Sequence, residues 1–362
     1  MRERTRQIRV GGVAVGGGAP VSVQTMCNAN PHDEEALLQQ IRDAEGAGCD
    51  IVRLAVPDLQ AADVFRRVRE NSPLPLVADI HFDSRLALAA LAGGADGLRI
   101  NPGNIGDPDR VRTVVAAARE RGGVPIRIGV NGGSLEKDIF ARHGGATPEA
   151  LVESALRHVA LLEGEGYHAI KISVKASDVP RTIAAYRLLS QQTPYPLHLG
   201  VTEAGTFLPG TVRSCVALGV LLTEGIGDTI RVSLTDTPVK EVRVGVELLR
   251  SIGLRAPGAS VTSCPTCGRT RVDVAALAAQ VEERLERFYR ERPGAPRPHI
   301  AVMGCVVNGP GEARGADIAV AGGEGCFALF VRGKQICVVP EAEALERIVT
   351  LAEKWAPKRP LA

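Results

Sequence analysis

Residues 76–103 read LVADIHFDSRLALAALAGGADGLRINPG. Two short apolar runs, LVADIH at 76–81 and GLRINPG at 97–103, bracket a segment whose apolar residues recur three and four apart and which ends in glycines. That order predicts a strand, a helix and the next strand. The theme recurs on both sides: VSVQTM at 21–26, IVRLAV at 51–56, IRIGVN at 126–131, IKISVK at 170–175, LHLGVTE at 197–203 and TIRVSLT at 229–235, eight runs in all. Segments between them, such as DEEALLQQIRDAEGAG and PEALVESALRHVALLEGEG, begin with acids and end with glycine, as helices do. Eight βα units over about 250 residues predict a (β/α)8 barrel. A doubly wound open sheet, the alternative, normally has fewer strands.

Beyond the last barrel helix, VKEVRVGVELLRSIG, the composition changes at LRAPGASVTSCPTC, so a boundary is expected near residue 256. Residues 1–255 would form the barrel. Residues 256–362 carry a helix (DVAALAAQVEERLERFYRE), a Pro-rich connection, the strand-like runs IAVMG, DIAVAGG and CFALFVRGKQICVV, and a closing helix, which predicts a small α+β domain. The last residues, APKRPLA, read as a frayed tail.

The 362 residues are 45% hydrophobic, enough for a sizeable core, and 43 basic residues against 41 acids leave a net charge of +2. No global field drives binding to nucleic acid or to an anionic membrane, so any anion site must be local. The start, MRERTRQIRV, is not a signal peptide and no long apolar run spans a membrane, so a cytoplasmic protein is expected. Eight cysteines in a reducing compartment point to buried thiols, metal ligands or catalysis. No phosphate-binding G-x-x-x-x-G-K-[ST] motif occurs, and VGGGAP near residue 17 lacks the strand and helix a dinucleotide site requires.

Barrel interiors are filled by apolar side chains, yet most of these runs carry charge. Arg53, Asp79 with His81, Arg99 with Asn101, Arg127 with Asn131, Lys171 with Lys175, and Arg231 with Ser233 lie in the runs, the pairs at even spacing and so on one face. His198, Thr202 and Glu203 join them from the seventh run. The later residues of each run converge at the C-terminal mouth, where barrel active sites sit. Interior ion pairs, Arg99 with Asp79 or Arg231 with Glu203, would explain some of these charges. They would not explain the surplus: Arg53, Arg99, Arg127, Lys175 and Arg231 outnumber Asp79 and Glu203. A small, multiply anionic substrate, most simply a diphosphate, is expected. Lys171 shares the parity of Lys175 but comes early in its run, deep in the barrel or towards its other end.

In the second domain SCPTCGRT holds Cys264 and Cys267, a C-x-x-C that fits a zinc clip, a redox pair or part of an iron–sulfur site. A zinc ribbon would present a second C-x-x-C, and none exists. A thioredoxin-like pair leaves Cys305, in MGCVVNGPGEA, unexplained. Three thiolates with one oxygen ligand suit a catalytic [4Fe–4S] cluster, and Glu312 is either that ligand or a solvated loop acid. Cys326 and Cys337, in apolar runs, are expected to be buried packing residues, and Cys27, Cys49 and Cys215 buried or partly buried thiols.

The motifs VADIHFD, LRINPGNIG, IRIGVNGGSLEKD, SVKASDV, HLGVTEAG, EGIGDTIRVSL, CPTCGR and GCVVNGPGEA, in this order over nearly the whole chain, resemble the 4-hydroxy-3-methylbut-2-enyl diphosphate synthases of the methylerythritol phosphate pathway, in their two-domain bacterial form. The resemblance implies a TIM barrel that binds 2-C-methyl-D-erythritol cyclodiphosphate and a second domain whose [4Fe–4S] cluster is held by Cys264, Cys267, Cys305 and Glu312. It implies that Arg53, Arg99, Arg127, Asn131, Lys175, Thr202, Arg231 and Ser233 hold the substrate, while Asp79, His81 and Glu203 line the reacting end. It further implies reductive ring opening with loss of water, a ferredoxin or flavodoxin as electron donor, and a head-to-tail homodimer in which one chain's cluster domain caps the partner's barrel. One departure stands out: Gln24-Thr25-Met26-Cys27-Asn28-Ala29 replaces the family's usual Gln-Ser-Met-Thr-Asn-Thr, which puts a thiol at the first strand's end, near the mouth.

Two readings from other classes compete. A pterin- or corrinoid-handling transferase barrel with a structural zinc domain would favour aromatic walls, and only 3% of the chain is aromatic. A zinc-ribbon nucleic-acid binder would carry a basic surface and a stacking platform.

Overall fold

The computed structural model describes residues 2–81, 83–100, 108–256, 258, 260–292, 294–305 and 309–356. Asn101 and the end of the tail lie outside them. Two compact units result, Met1–Arg255 and Ala256–Ala362.

The first unit opens with a hairpin of β1 (Ile8–Val10) and β2 (Val13–Val15). The barrel strands follow: β3 (Ser22–Met26), β4 (Ile51–Ala55), β5 (Leu76–Asp79), β6 (Gly97–Ile100), β7 (Ile126–Asn131), β8 (Ile170–Lys175), β9 (His198–Leu199) and β10 (Thr229–Ile230). All pair in parallel, in the order β8-β7-β6-β5-β4-β3-β10-β9, and a parallel bridge between Ile172 and Leu197 joins the two ends of the row. The barrel expected from the eightfold repeat is present.

Local chemistry explains why strand gives way to helix where it does. Asp33, Asp58, Asp83 and Asp178 each follow a strand and accept a hydrogen bond from a first-turn backbone N–H, and Thr147 does the same, so each helix starts at a satisfied cap. At the opposite end of the barrel, Gly94 at φ +85° turns the helix Ser84–Ala92 back into β6 without the steric cost a side chain would carry. Outward strand residues pack with inward helix residues into one apolar layer that includes Val23, Leu54, Leu98, Ile128, Val174, Leu218 and Leu249. Ile8, Val10 and Val15 of the hairpin pack against Ile51 and Val77 and form an apolar cluster with the early strand residues.

Two strands are shorter than their sequence runs suggest. Of LHLGVTE only His198–Leu199 is strand, and of TIRVSLT only Thr229–Ile230. The chain leaves the ladder at Gly200, where a Cβ would stand 2.6 Å from the Lys175 ammonium and 2.9 Å from the Arg231 carbonyl. Arg231 N still donates to Leu199 O at 3.0 Å, so the mouth loops stay tied to the barrel.

The second unit holds a mixed five-stranded sheet: β11 (Ser260–Ser263), β12 (His299–Met303), β13 (Ile318–Gly322), β14 (Cys326–Val331) and β15 (Lys334–Pro340). The first three strands are parallel and the last two antiparallel. The helices Val274–Glu291 and Glu341–Glu353 contribute Val281, Leu285, Ile348 and Val349 to a core with Ile300, Val302, Val320 and Leu329. No described helix is long and apolar enough to cross a membrane.

Candidate functional site

Strand register sets the site. Asp79 pairs across the sheet with Arg99, Arg99 with Arg127, and Arg127 with Lys171, so three neighbouring strands present three cations side by side. Side chains in parallel register share a face, and here the face is the barrel interior. Asn131 pairs with Lys175 two inward-facing positions closer to the mouth.

Asp79 is the hub on one side. Its carboxylate lies 3.2 Å from Arg99 Nη1, 3.7 Å from Arg53 Nε and 3.5 Å from His81 Nε2. Burial alone would raise the Asp79 carboxyl; Arg53, with His81 and Arg99, overrides this and holds it below the usual carboxylate range. Arg53 also donates to Met26 Sδ, through Nη2 at 2.8 Å. Gly129 makes room for Arg99, since a Cβ there would lie 2.7 Å from Arg99 Nε. The expected Arg99–Asp79 pair is therefore formed.

The other expected pair is not. Arg231 binds Glu241, not Glu203: Nη2 lies 3.1 Å from Oε1 and Nε 3.2 Å from Oε2. Glu241, on the first turn of the helix Pro238–Ser251, also accepts from Thr25 Oγ1 at 2.8 Å and from Leu234 N at 2.9 Å. Every oxygen of this buried carboxylate is used, which fixes the guanidinium of Arg231. Sequence reading missed Glu241 because an acid in a first helical turn looks like a helix-dipole partner. Glu203 instead stands exposed in the turn after β9, at φ +52°. A left-handed non-glycine residue costs about 1–3 kcal/mol and recurs at active sites. Thr202 precedes it, its N–H held by Ala176 O at 3.1 Å, and Ser233 lies half-buried beyond Arg231.

Arg127, Lys175 and Lys171 are buried without carboxylate partners among the described residues. Arg127 Nη1 donates to Ser173 Oγ at 2.6 Å, but its Nε and Nη2 have no partner there. Burial, then the charges of Arg53 and Arg99, pushes the Arg127 guanidinium down; burial, then Arg127 and Arg231, does the same to Lys175. Lys171 is pushed from 10.5 to about 7, by burial first and Arg127 second. Guanidinium groups do not deprotonate in proteins, so this cost is a driving force for an anion to enter.

Cys27, at the mouth end of β3, does not face the mouth. It is buried in the apolar layer outside the strands, on the parity of Thr25, whose hydroxyl faces the helix Pro238–Ser251. Burial, then neighbouring Cys49, pushes its thiol up to about 12. Cys49 is equally buried, and Cys215 is half-buried.

In the second unit Cys264 and Cys305 follow the ends of adjacent parallel strands β11 and β12, and Glu312 lies exposed on the short helix Gly309–Gly315. Thr266 N donates to Cys264 Sγ at 3.3 Å. The C-x-x-C loop closes on itself, with Thr270 Oγ1 accepting from Cys267 N at 3.1 Å. Gly304, beside Cys305, lets that loop approach: a Cβ there would be 2.8 Å from Thr270 Cγ2. The two thiol-bearing loops are thus packed together, although among the described residues no three His, Cys, Asp or Glu side chains are placed to hold a metal ion. All eight cysteines are free. Cys326 and Cys337 are half-buried, not fully buried as expected. Cys337 lies on β15, an edge strand with mostly exposed side chains.

Fold and site define a (β/α)8-barrel protein with a cation-lined interior and a separate thiol-bearing α+β domain. The GcpE TIM-barrel domain model matches residues 5–246 and the GcpE protein C-terminal domain model residues 260–354; the chain belongs to the GcpE family. It is 56% identical to the 4-hydroxy-3-methylbut-2-en-1-yl diphosphate synthase (flavodoxin) of Geobacter sulfurreducens, over 98% of each chain. It is 52% identical to the protein of the same name from Caldanaerobacter subterraneus, again over 98% of each. With that from Maridesulfovibrio salexigens it shares 54% identity, over 95% of this chain and 94% of the relative.

Proposed function

We propose that this chain catalyses the two-electron reductive ring opening and dehydration of 2-C-methyl-D-erythritol 2,4-cyclodiphosphate to 4-hydroxy-3-methylbut-2-enyl diphosphate, the activity for which its relatives are named. The observation that carries this reading is the pair of buried cations Arg127 and Lys175, without carboxylate partners among the described residues, which a cyclic diphosphate would neutralise.

In this reading residues 1–255 bind substrate and residues 256–362 carry a [4Fe–4S] cluster. The donor set of three thiols and a carboxylate suits that cluster, and the Gly304 cradle that packs the two thiol loops together supports it. Cys264, Cys267, Cys305 and Glu312 would hold it. When bound, such a cluster supplies electrons singly and a Lewis-acidic iron.

The barrel side chains do the rest. Arg53, Arg99, Arg127, Asn131, Lys175, Thr202, Arg231 and Ser233 hold the phosphates and orient the ring. Glu241 keeps Arg231 fixed, and Asp79, ionised between Arg53 and Arg99, holds those two guanidiniums apart from the acid–base chemistry. His81, exposed at the mouth beside Asp79, and Glu203, exposed on its strained turn, are the titratable groups open to the reacting end. Ring opening takes up two electrons and a proton and releases water. A flavodoxin, the donor in the relatives' names, or a ferredoxin would deliver the electrons one at a time. A head-to-tail homodimer and a cytoplasmic setting, where free thiols persist, complete the reading.

Anaerobic purification followed by metal analysis tests it. Brown protein with about four irons per chain and no stoichiometric zinc is expected. Colourless zinc protein would remove the redox chemistry and leave a zinc-bearing barrel.

A further inference from the structure

Beneath the residues assigned to substrate, the barrel holds a second polar layer with no assigned role. Ser22 and Gln24 on β3, Lys171 on β8 and His198 on β9 face the interior, none more than 3% exposed. Their polar ends are unmatched. Ser22 Oγ, both amide atoms of Gln24, Lys171 Nζ and His198 Nε2 have no hydrogen-bond partner among the described residues, nor do Nε and Nη2 of Arg127, the register neighbour of Lys171. Buried polar groups are paired as a rule, so five such side chains in one barrel mark an incomplete site.

Water would satisfy these hydrogen bonds but not the charge. Arg127 and Lys171 stand side by side, and Asp228, an acid that acts on Lys171, already accepts from Leu197 N at 2.8 Å and from Thr5 Oγ1 at 3.1 Å. Nearly all the free groups are donors. His198 Nδ1 is engaged by the Thr229 hydroxyl; with that hydroxyl donating, Nε2 carries the imidazole proton inward. A cluster of donors around two unpaired cations, closed off by the apolar cluster of the β1–β2 hairpin, matches a tetrahedral oxyanion.

We infer that Lys171, with Arg127, His198, Gln24 and Ser22, forms an inner phosphate subsite in the barrel. Its occupant is one phosphate group, either free inorganic phosphate or the inner phosphate of the bound substrate. The second source rests on the proposed reaction; the first does not.

Inorganic phosphate is the probe. Calorimetry and thermal unfolding of the full chain without organic substrate should show saturable binding and a rise in melting temperature. Lys171→Met, similar in length and without charge, should abolish the rise and weaken phosphate binding roughly tenfold or more, the effect of losing one hydrogen bond to a charged group. Gln24→Leu gives a second reading if Lys171→Met does not fold, and should weaken phosphate binding in the same direction. Wild-type protein that ignores phosphate, or a folded Lys171→Met that binds it unchanged, would overturn the assignment. Substrate KM then separates the sources: a raised KM in Lys171→Met assigns the subsite to the substrate's inner phosphate, and an unchanged KM with lost phosphate binding assigns it to the free ion.

Discussion

Arg127 and Lys171 show how one register pair divides its work. Arg127 spends Nη1 on Ser173 and keeps Nε and Nη2 for a ligand, so Arg127→Ala should weaken binding of the cyclodiphosphate by about 1.5–3 kcal/mol per lost charged hydrogen bond. Isothermal titration checks this, and an unchanged dissociation constant would remove Arg127 from the site. Lys171 gives a pH signature. Its folded pKa, about 7, lies below its ordinary 10.5, so between these values the unfolded chain holds a proton that the folded chain lacks. Stability from this group therefore rises with pH across that window, provided no anion is bound. Subtracting the Lys171→Met melting curve from wild type, in phosphate-free buffer from pH 6 to 10, should expose that rise. A flat difference would mean that Lys171 titrates normally.

At the scale of elements, the glycines inside strand runs matter as much as the charges. Gly129 and Gly200 leave the volumes into which Arg99 and Lys175 fold. Gly200→Ala would place a methyl 2.6 Å from the Lys175 ammonium and 2.9 Å from a fixed carbonyl, so the mouth must shift. About 1–3 kcal/mol of stability should be lost, with a larger fractional loss of substrate affinity, measurable by denaturant unfolding and titration. Unaltered affinity would show that Lys175 does not need its present position. The repeat and its parity were legible in the sequence because a barrel strand has only two faces and a charge on the inner one stands out. Partners were less legible. Arg231 is held by Glu241, which reaches it from a helix, and no spacing rule links the two. Likewise, Cys27 sits at the end of β3 with the parity of Thr25, and only that parity, not its place near the mouth, foretold its outward direction.

At the scale of the molecule, each unit is built around a main apolar core of its own, and this makes their contributions separable. Cys305→Ser should abolish turnover yet leave far-UV dichroism and soluble expression intact, because the barrel folds around its own apolar layer. If the proposed dimer joins one chain's cluster to its partner's barrel, Cys305→Ser and Arg127→Ala chains should rescue each other on mixing at substrate concentrations too low for the Arg127→Ala barrel to bind. Half the dimers would be mixed and one site in each intact, so recovery should approach roughly a quarter of wild-type activity. No recovery after verified subunit exchange would place barrel and cluster of one chain in the same site.

The most direct test of the central claim is a single assay: anaerobically prepared protein, 2-C-methyl-D-erythritol 2,4-cyclodiphosphate and reduced flavodoxin, with products followed by phosphorus NMR. The account predicts that the cyclic diphosphate signals give way to those of the linear allylic diphosphate, with two electrons consumed per product and no turnover when the reductant is omitted. Iron-loaded, folded protein that leaves the cyclic diphosphate untouched under these conditions would contradict it.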